Sequence, residues 1–394
     1  MSSPRVVVLA GGLSYERQVS LRSGRRVVEA LRHAGVETVQ LDADDQLLTR
    51  LTEIAPDAVF VALHGSAGED GALRDVLDLL GLPFVGSIAS ACRLAWDKPC
   101  AKSALQTAGI LTPPSVALPH STFRELGAAA VLERLVERLG LPLMVKPTQG
   151  GSALGAHAVE RAEDLPAAMV GCFGYGNTAL VERLIRGTEV AVSVVETGTG
   201  TQALPAVEVV AVDGVNDYRA RYTAGMSTWH APARVPDDVA EELSKVALRV
   251  HEVLGLRDLS RIDAIVDDEG HIYVLEANVA PGMTETSLLP LAVEAARLDL
   301  GKLCRELVEQ AAERGASTPS AASSRRLRPS PSPFSAAPAP MPVAESDPAS
   351  DTEAEPGAGP ESVPSPHLAP LDAHSTSPSP GPSPSSEPSP RPEP

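Results

Sequence analysis

The sequence predicts an α/β protein with two differently built parts and a C-terminal tail. Apolar runs alternate with helical spacing through the first hundred residues, starting with a strand at residues 6–10. Further on, strand patterns at residues 260–266 and 271–278 flank the acidic, glycine-ended segment 267–270, which is typical of a β-hairpin. From residue 315 the chain is Pro-, Ser- and Ala-rich without apolar periodicity, which predicts a disordered tail.

The composition limits the cellular compartments and the classes of partner that are compatible with the chain. A chain of 394 residues with 43% hydrophobic content is long enough for two or three domains with cores of their own. Its four cysteines, Cys92, Cys100, Cys172 and Cys304, lie far apart without a CxxC, which argues against a disulfide framework or a zinc site. No apolar run reaches the length of a membrane span, and the net charge of -18 disfavours nucleic acid and anionic membranes. We therefore expect a cytoplasmic protein.

The N-terminal part alternates strands and helices in a Rossmann-like manner, with strands at residues 6–10, 36–41, 58–63 and 82–86. It lacks GxGxxG, so it carries no dinucleotide fingerprint. Polar loops that follow strands hold Glu16 and His64, and such loops often contact ligands. Glu16 could bind a substrate ammonium or could simply begin a helix favourably. His64 could line a pocket or could be a surface histidine.

The middle of the chain carries phosphate-binding features. After Pro113 and Pro114 the pattern changes, and a strand delivers Lys146 inward before a loop with three glycines. Glycine-loop N–H groups can close over phosphates while a lysine supplies a charge, although the order differs from a Walker A motif. Glu182 and Glu189 lie on later strands. Either could accept hydrogen bonds from an adenine amino group or ribose hydroxyls, or could belong to a solvated strand edge.

The hairpin register follows from its four-residue loop. The predicted pairs are Val266 with His271, Asp263 with Val274, and Arg261 with Glu276. The predicted polar face holds Arg261, Asp263, Glu276 and Asn278. The predicted opposite face is apolar and holds Ile262, Ala264, Val266, Tyr273 and Leu275.

That polar face favours metal chemistry. Two carboxylates and a carboxamide beside an arginine are hard-oxygen ligands suited to Mg²⁺ carrying a phosphorylated substrate. The alternative is an ordinary hairpin with one solvated face. Ile265, Ile272 and Val274 would share the face in this register, so its polar groups would be buried and would need partners.

Two further segments invite interpretation. Residues 213–229 are polar and contain Tyr218, Arg221 and Tyr222, and a long connection of this kind is often a lid. The tail could be a spacer, an anchor for an unknown partner that recognises Pro-rich segments, or a tolerated extension.

The motifs taken together resemble a known family. VLAGGLSYERQVS, LHGSAGEDG, WDK, VKPTQGGSALG, DYRARY, RID and LEANVAPGMTETSL occur in the order and rough spacing of D-alanine:D-alanine ligases of the ATP-grasp superfamily. The resemblance implies a Rossmann-like substrate domain at residues 1–100, a central ATP-grasp domain at 101–186 and a catalytic ATP-grasp domain at 187–314, with the tail at 315–394. It also implies ligation of two D-alanine molecules through an acyl phosphate, for peptidoglycan synthesis.

The resemblance also implies residue roles. ATP contacts would be Lys98, Lys146, Glu182, Glu189 and Arg221. Ligands of two Mg²⁺ or Mn²⁺ ions would be Asp263, Glu276 and Asn278. Catalytic groups would be Arg261, the backbone N–H of Gly282, and a hydrogen-bonded trio of Glu16, Ser152 and Tyr222. D-Alanine contacts would be Glu16, His64, Ser287 and Leu288. The family commonly forms homodimers.

The sequence departs from the family pattern at four positions. Arg221 stands at a lysine, Gly150 and Ala153 change the phosphate loop, and Thr286 replaces a histidine often found before the substrate serine. These changes bear on the substrate pair more than on ATP and metal. One alternative is therefore a ligase for other amino or hydroxy acids. Another is a non-catalytic nucleotide-binding protein whose tail recruits partners, although a protein without catalysis has no need of paired metal carboxylates.

Overall fold

The computed structural model describes residues 4–211 and 225–316, which belong to a compact unit spanning Met1–Ser324. The lid residues Tyr218, Arg221 and Tyr222 and the tail from residue 317 lie outside the described residues. Within the described ranges, no helix is long and apolar enough to cross a membrane.

The first sheet is parallel, with strand order β2-β1-β3-β4. Its strands are β1 (Arg5–Ala10), β2 (Glu37–Asp42), β3 (Ala58–Val61) and β4 (Phe84–Val85). The helices of this part are α1 (Arg17–His33), α2 (Leu47–Ile54), α3 (Ser66–Glu69), α4 (Ala72–Leu79) and α5 (Ala89–Trp96). Val6 and Val8 face one core while Val7 and Leu9 face another, so helices cover both faces of β1. Burial on both faces explains the continuous apolar run.

The second sheet is antiparallel, with strand order β5-β8-β6-β7. Its strands are β5 (Ser115–Pro119), β6 (Leu143–Pro147), β7 (His157–Val159) and β8 (Thr178–Arg183). The helices along this stretch are α6 (Lys98–Thr107), α7 (His120–Leu126), α8 (Ala128–Leu139) and α9 (Leu165–Phe173), with a 3₁₀ turn at Ala162–Asp164. Side chains from α7 to α9 fill the core of this sheet, and its other face is left for the site.

The third sheet carries the hairpin and has the order β12-β11-β9-β13-β14, with β10 paired to β9. Its strands are β9 (Thr188–Thr197), β10 (Gly200–Ala203), β11 (Val207–Ala211), β12 (Ser227–His230), β13 (Leu259–Val266) and β14 (Ile272–Asn278). The remaining helices are α10 (Asp237–Val253), α11 (Leu288–Ala295) and α12 (Leu300–Arg314). The segment expected to be one long connection over residues 213–229 thus ends in a strand, because Ser227–His230 pairs with β11.

The predicted hairpin register is wrong. Val266 lies opposite Ile272, so five residues and not four form the loop, and Ala264 lies opposite Val274. This one-residue slip puts Ile272 and Val274 in the core and turns Tyr273 towards the face of Ile265. Ile272 and Val274 were predicted on the polar face and Tyr273 on the apolar face, and all three lie on the opposite face, because side chains alternate along a strand.

A β-bulge then restores the polar face. The register shifts between Asp263 and Ala264, so that Leu275 is the extra residue on β14. Asp263 consequently lies opposite Glu276, and Arg261 lies opposite Asn278. The longer loop and the bulge each shift the pairing by one residue, so the total shift is two residues and the faces are the predicted ones again. The four predicted polar side chains therefore share one face although each predicted pair is wrong.

Two anchors fix where β13 and α6 lie. Asp258, just before β13, is 1% exposed, accepts a 2.7 Å hydrogen bond from the N–H of Gly86, and pairs with Arg314 at the end of α12. Ala101 and Leu105 of α6 pack into the core of the third sheet. These contacts hold α6 and the hairpin as one rigid base, which positions the site.

Candidate active site

The centre of the site is the ion pair between Arg261 and Asp263. Arg261 donates Nε and an Nη to the two oxygens of Asp263, at 2.6 and 2.7 Å, and both side chains are 9% exposed. Burial alone would lower the pKa of Arg261, but the charges of Asp263 and Glu276 raise it. Arg261 therefore stays protonated, and Asp263 holds its guanidinium group in place.

The hairpin opens onto a cavity of about 470 Å³, here called the substrate cavity. It brings together all the described residues predicted for substrate and catalysis, together with the predicted metal ligand Asn278: Glu16, His64, Ser152, Arg261, Gly282, Ser287 and Leu288. Thr286 also lines it. Loops from all three sheets meet here, so residues far apart in sequence surround one space.

A second cavity, of about 330 Å³, lies between the second and third sheets and is called the intersheet cavity. It is lined by the residues predicted for ATP within the described ranges and by two predicted metal ligands: Lys98, Lys146, Glu182, Glu189, Asp263 and Glu276. Its apolar walls include Met144, Leu154, Ile265 and Leu275. An apolar slot with charged groups at its end suits a flat, apolar base joined to phosphates.

The two cavities share lining residues, namely Lys98, Gly150, Gly151 and Glu276. The Nζ of Lys98 donates to the carbonyl oxygen of Gly150 at 2.7 Å and lies 3.3 Å from a carboxylate oxygen of Glu276. A group passing from one cavity to the other would therefore pass beside a lysine and a carboxylate.

Glu16 and Ser152 meet across the substrate cavity. The hydroxyl of Ser152 donates to the carboxylate of Glu16. Glu16 occupies the N-cap position of α1 but makes no side-chain cap hydrogen bond, so its carboxylate is aimed into the cavity rather than at the helix. Ser152 and Ala153 have φ of 53° and 56°, a left-handed conformation that turns the loop tightly. The third member of the predicted trio, Tyr222, lies outside the described residues.

His64 is 4% exposed, so the surface-histidine alternative is wrong. Its Nδ1 donates to the carbonyl of Ala280 at 3.0 Å, which leaves Nε2 to accept from the hydroxyl of Ser23 at 2.9 Å. Burial lowers the pKa of His64 to about 4, helped by the nearby charge of Arg261. His64 is thus neutral and fixes the loop after β14.

That loop places Gly282 against Ser287. A Cβ at Gly282 would lie 2.6 Å from the Oγ of Ser287, so a larger residue there would displace that hydroxyl group. The Oγ of Ser287 accepts from the backbone N–H of Thr284 at 3.0 Å and lies 2.8 Å from its hydroxyl. Leu288, the first residue of α11, adds an apolar wall. A hydroxyl and an apolar wall side by side suit a small amino acid.

Glu182 lies on β8, an inner strand, and is 2% exposed, so the solvated-edge alternative is wrong for it. Its two oxygens lie 2.5 Å from the Nζ of Lys146 and 2.9 Å from that of Lys102. Burial alone would raise the pKa of Glu182, but the two lysines lower it. Glu182 is therefore a charged acceptor inside the intersheet cavity.

Sequence reasoning missed three residues of the site. Lys102 was detectable as the residue one helical turn after Lys98, on the same helix face. Glu69 stood in the LHGSAGEDG motif; burial, together with the charge of Glu16, raises its pKa to about 8, so at neutral pH it holds its proton. Arg22 of α1 lines the substrate cavity at its exposed side, and nothing in the helix pattern marked it.

The predicted metal ligands fit a hard divalent cation. Asp263 and Glu276 are direct cross-strand neighbours, and Asn278 lies one pleat further on the same face. Arg261 occupies one lone-pair direction of each Asp263 oxygen, but each carboxylate oxygen has another. The donor set, two carboxylates and a carboxamide oxygen, is the type that Mg²⁺ and Mn²⁺ prefer.

Fold and site together define a class: an ATP-grasp ligase, with a cavity between two sheets that opens onto a second cavity. Comparisons with known proteins narrow the class. Residues 104–309 match the family model described as D-ala D-ala ligase C-terminus. The D-alanine--D-alanine ligase of Pelotomaculum thermopropionicum is 40% identical over 309 residues, covering 78% of this chain and 97% of that protein. That of Desulforudis audaxviator is 41% identical over 313 residues, covering 79% and 99%. The chain therefore belongs to the D-alanine--D-alanine ligase family.

Solved structures agree with this assignment. The D-alanine--D-alanine ligase from Bacillus anthracis complexed with ATP superposes with a TM-score of 0.65 at 27% identity, covering 79% of this chain and 98% of that chain. The VanG D-Ala:D-Ser ligase from Enterococcus faecalis superposes with a TM-score of 0.67 at 25% identity, covering 79% and 100%.

The buried, neutral state of His64 predicts a pH-dependent stability. An unfolded histidine titrates near pH 6.5, whereas His64 in the fold titrates at about 4. The unfolded chain thus binds a proton within this window that the folded chain does not, so the free energy of unfolding falls as pH falls. In urea unfolding at pH 6.5 and 4.5, His64→Gln should remove about 2 kcal/mol of the pH dependence. His33→Gln, at an exposed histidine of α1, is the matched control. An unchanged dependence in His64→Gln would show that this histidine is not held neutral.

Proposed function

We propose that the protein joins two D-alanine molecules to give D-alanyl-D-alanine for peptidoglycan precursors, with ATP consumed to form an acyl phosphate on the first. The observation that carries the proposal is the meeting of the two cavities at Lys98 and Glu276, beside the fixed charge of Arg261. An activating phosphoryl group and an amino acid carboxylate can meet at that point. The solved relative complexed with ATP supports ATP as the nucleotide.

In the nucleotide half, we assign base and ribose contacts to Glu182 and Glu189 and phosphate contacts to Lys98 and Lys146. All four line the intersheet cavity. The charged state of Glu182 makes it an acceptor only, which suits the amino group of adenine and disfavours a carbonyl at the same place. We also assign a phosphate contact to Arg221, in the lid.

Asp263, Glu276 and Asn278 would bind two divalent metal ions, either Mg²⁺ or Mn²⁺. Bound there, the ions would neutralise the triphosphate and so favour its attack by a carboxylate. The chain's own contribution is to keep these oxygens in place. Arg261 fixes Asp263, Lys98 holds Glu276, and the Oδ1 of Asn278 accepts from the N–H of Ala280 at 3.1 Å.

In the substrate cavity, Glu16 would bind the ammonium group of the first D-alanine, since Ser152 already orients its carboxylate. The carboxylate of that D-alanine would then lie towards Lys98 and receive the phosphoryl group. When the second amine attacks, negative charge develops on the carbonyl oxygen. Arg261 and the N–H of Gly282 would stabilise it, because preorganised donors in a shielded site need little rearrangement.

The second D-alanine would place its carboxylate at Ser287 and its methyl group against Leu288. His64 would act indirectly, by holding the loop that carries Gly282. Tyr222, with Glu16 and Ser152, would close the lid over the attacking amine. A neutral His64 and a protonated Glu69 keep added charge out of the cavity.

For the organisation of the chain, we propose the three domains and boundaries predicted from sequence, with a Rossmann-like first domain. The all-parallel first sheet with helices on both faces supports that name. We also propose a cytoplasmic homodimer that associates through the N-terminal domain, and a tail available to a further partner.

A second candidate is a ligase that takes another acid as its second substrate. The likeness to the VanG D-Ala:D-Ser ligase favours it, as does Thr286, a hydroxyl-bearing residue that lines the substrate cavity. The two candidates share all the chemistry up to the acyl phosphate and differ only in the group that attacks it.

Glu276→Gln tests the metal assignment. Removing one ligand charge should lower the rate of phosphate release by at least about 100-fold, because the site must neutralise a triphosphate. The melting temperature should change little. Glu269→Gln, on the exposed loop of the same hairpin, should keep the wild-type rate. Near wild-type turnover in Glu276→Gln at saturating Mg²⁺ would show that the metal is held elsewhere.

Competition between substrates tests which acid binds as the second substrate. With labelled D-alanine, D-serine and D-lactate present together at pH 7 to 8, D-alanyl-D-alanine should be the main product. Leu288 leaves the hydroxyl of D-serine without a partner, which costs roughly 1–3 kcal/mol. The lid tyrosine Tyr222 accompanies amine nucleophiles in the resembled family, so D-lactate should be poor. Mainly D-alanyl-D-serine or D-alanyl-D-lactate would favour the second candidate, and no product from any pair would contradict ligation of these acids altogether.

A further inference from the structure

Glu182 is paired with two lysines that differ in their access to the intersheet cavity. Lys146 lines the cavity, so a ligand can reach its ammonium group. Lys102 does not line it, is 3% exposed, and approaches Glu182 from the α6 side. One of the two counter-ions is therefore exchangeable, and the other is not.

This difference matters when an anion enters. A phosphate that binds Lys146 draws it from Glu182, which is 2% exposed. A buried carboxylate that loses its only counter-ion is strongly destabilised. Because Lys102 remains 2.9 Å from the other oxygen, Glu182 stays paired after Lys146 has moved.

The charge balance leads to the same conclusion. Lys102, Glu182 and Lys146 together carry one net positive charge. Without Lys102 the remaining pair of Lys146 with Glu182 would be neutral. A phosphate that took Lys146 from that pair would leave a carboxylate that is only 2% exposed without a counter-ion.

Lys102 is also fixed in position. It lies on α6 between Ala101 and Leu105, which pack in the same core as Val274 of β14. Glu182 belongs to the other sheet. Lys102 therefore holds Glu182 from a rigid base and cannot follow a ligand into the cavity.

We propose that Lys102 is a positioning residue that keeps Glu182 ionised and in place, so that Lys146 can exchange from Glu182 to the phosphates of the nucleotide. The proposal rests on nucleotide binding in the intersheet cavity. It assigns to Lys102 an effect on phosphate affinity. The effect on recognition of the base is small, because Lys146 still pairs with Glu182 when the ligand carries no phosphate.

Calorimetric titration of ADP and adenosine into the full-length protein separates these effects. Lys102→Met keeps the apolar stem and removes the charge, and it should weaken ADP binding by at least about ten-fold while changing adenosine binding less than about three-fold. Lys102→Arg should stay near wild type. Lys245→Met, at an exposed lysine of α10, controls for the loss of one positive charge. Equal ADP binding in Lys102→Met and wild type, or equal losses for ADP and adenosine, would overturn the proposal.

The double variant Lys102→Met/Glu182→Gln distinguishes positioning from packing. A neutral glutamine no longer holds Lys146, so the ratio of ADP to adenosine affinity should recover relative to Lys102→Met. Additive losses would mean that Lys102 serves the fold alone.

A further variant covers the case in which Lys102→Met does not fold. Glu182→Gln alone should then show a ratio of ADP to adenosine affinity at least equal to that of the wild type, and a smaller ratio would overturn the proposal. A wild-type protein that binds neither ligand would instead contradict the proposed function.

Discussion

Two lysines one helical turn apart on α6 connect the two sheets that enclose the intersheet cavity. Lys98 pairs with Glu276 on β14, and Lys102 pairs with Glu182 on β8. Both carboxylates are thereby paired before any ligand arrives, so neither is a buried negative charge without a counter-ion. Since α6 packs into the core of the third sheet, the distance between the two walls depends on these side chains. The site is built around a helix, although its chemistry is presented by strands.

In the hairpin, the sequence pattern predicts the face on which a side chain lies but not its partner on the neighbouring strand. Alternation predicted that Arg261, Asp263, Glu276 and Asn278 share a face, and they do, but the pairing behind that prediction was wrong. A longer loop and a bulge at Leu275 each displaced the register by one residue. Alternation reports only whether an offset is odd or even, so it could not detect a shift of two. The face was predictable, whereas the direct pairing of Asp263 with Glu276 required the backbone hydrogen bonds.

Other parts of the site depend on contacts that no local pattern carries. His64 is buried because Ser23 and Ala280, on distant segments, satisfy both ring nitrogens. The raised pKa of Glu69 comes from burial beside Glu16, which follows a different strand. The order of strands and helices in the first hundred residues was predictable because each is long and periodic. The state of a buried charge was not, since it is set by side chains brought together only by the fold.

The central claim is that a phosphoryl group passes from the intersheet cavity to an amino acid carboxylate beside Arg261. The most direct measurement uses D-alanine labelled with ¹⁸O in its carboxylate, with mass spectrometry of the phosphate released during turnover. The account predicts that one labelled oxygen appears in phosphate for each peptide bond formed, because the acyl phosphate breaks between carbon and the bridging oxygen. Phosphate without label, while dipeptide is produced, would contradict it.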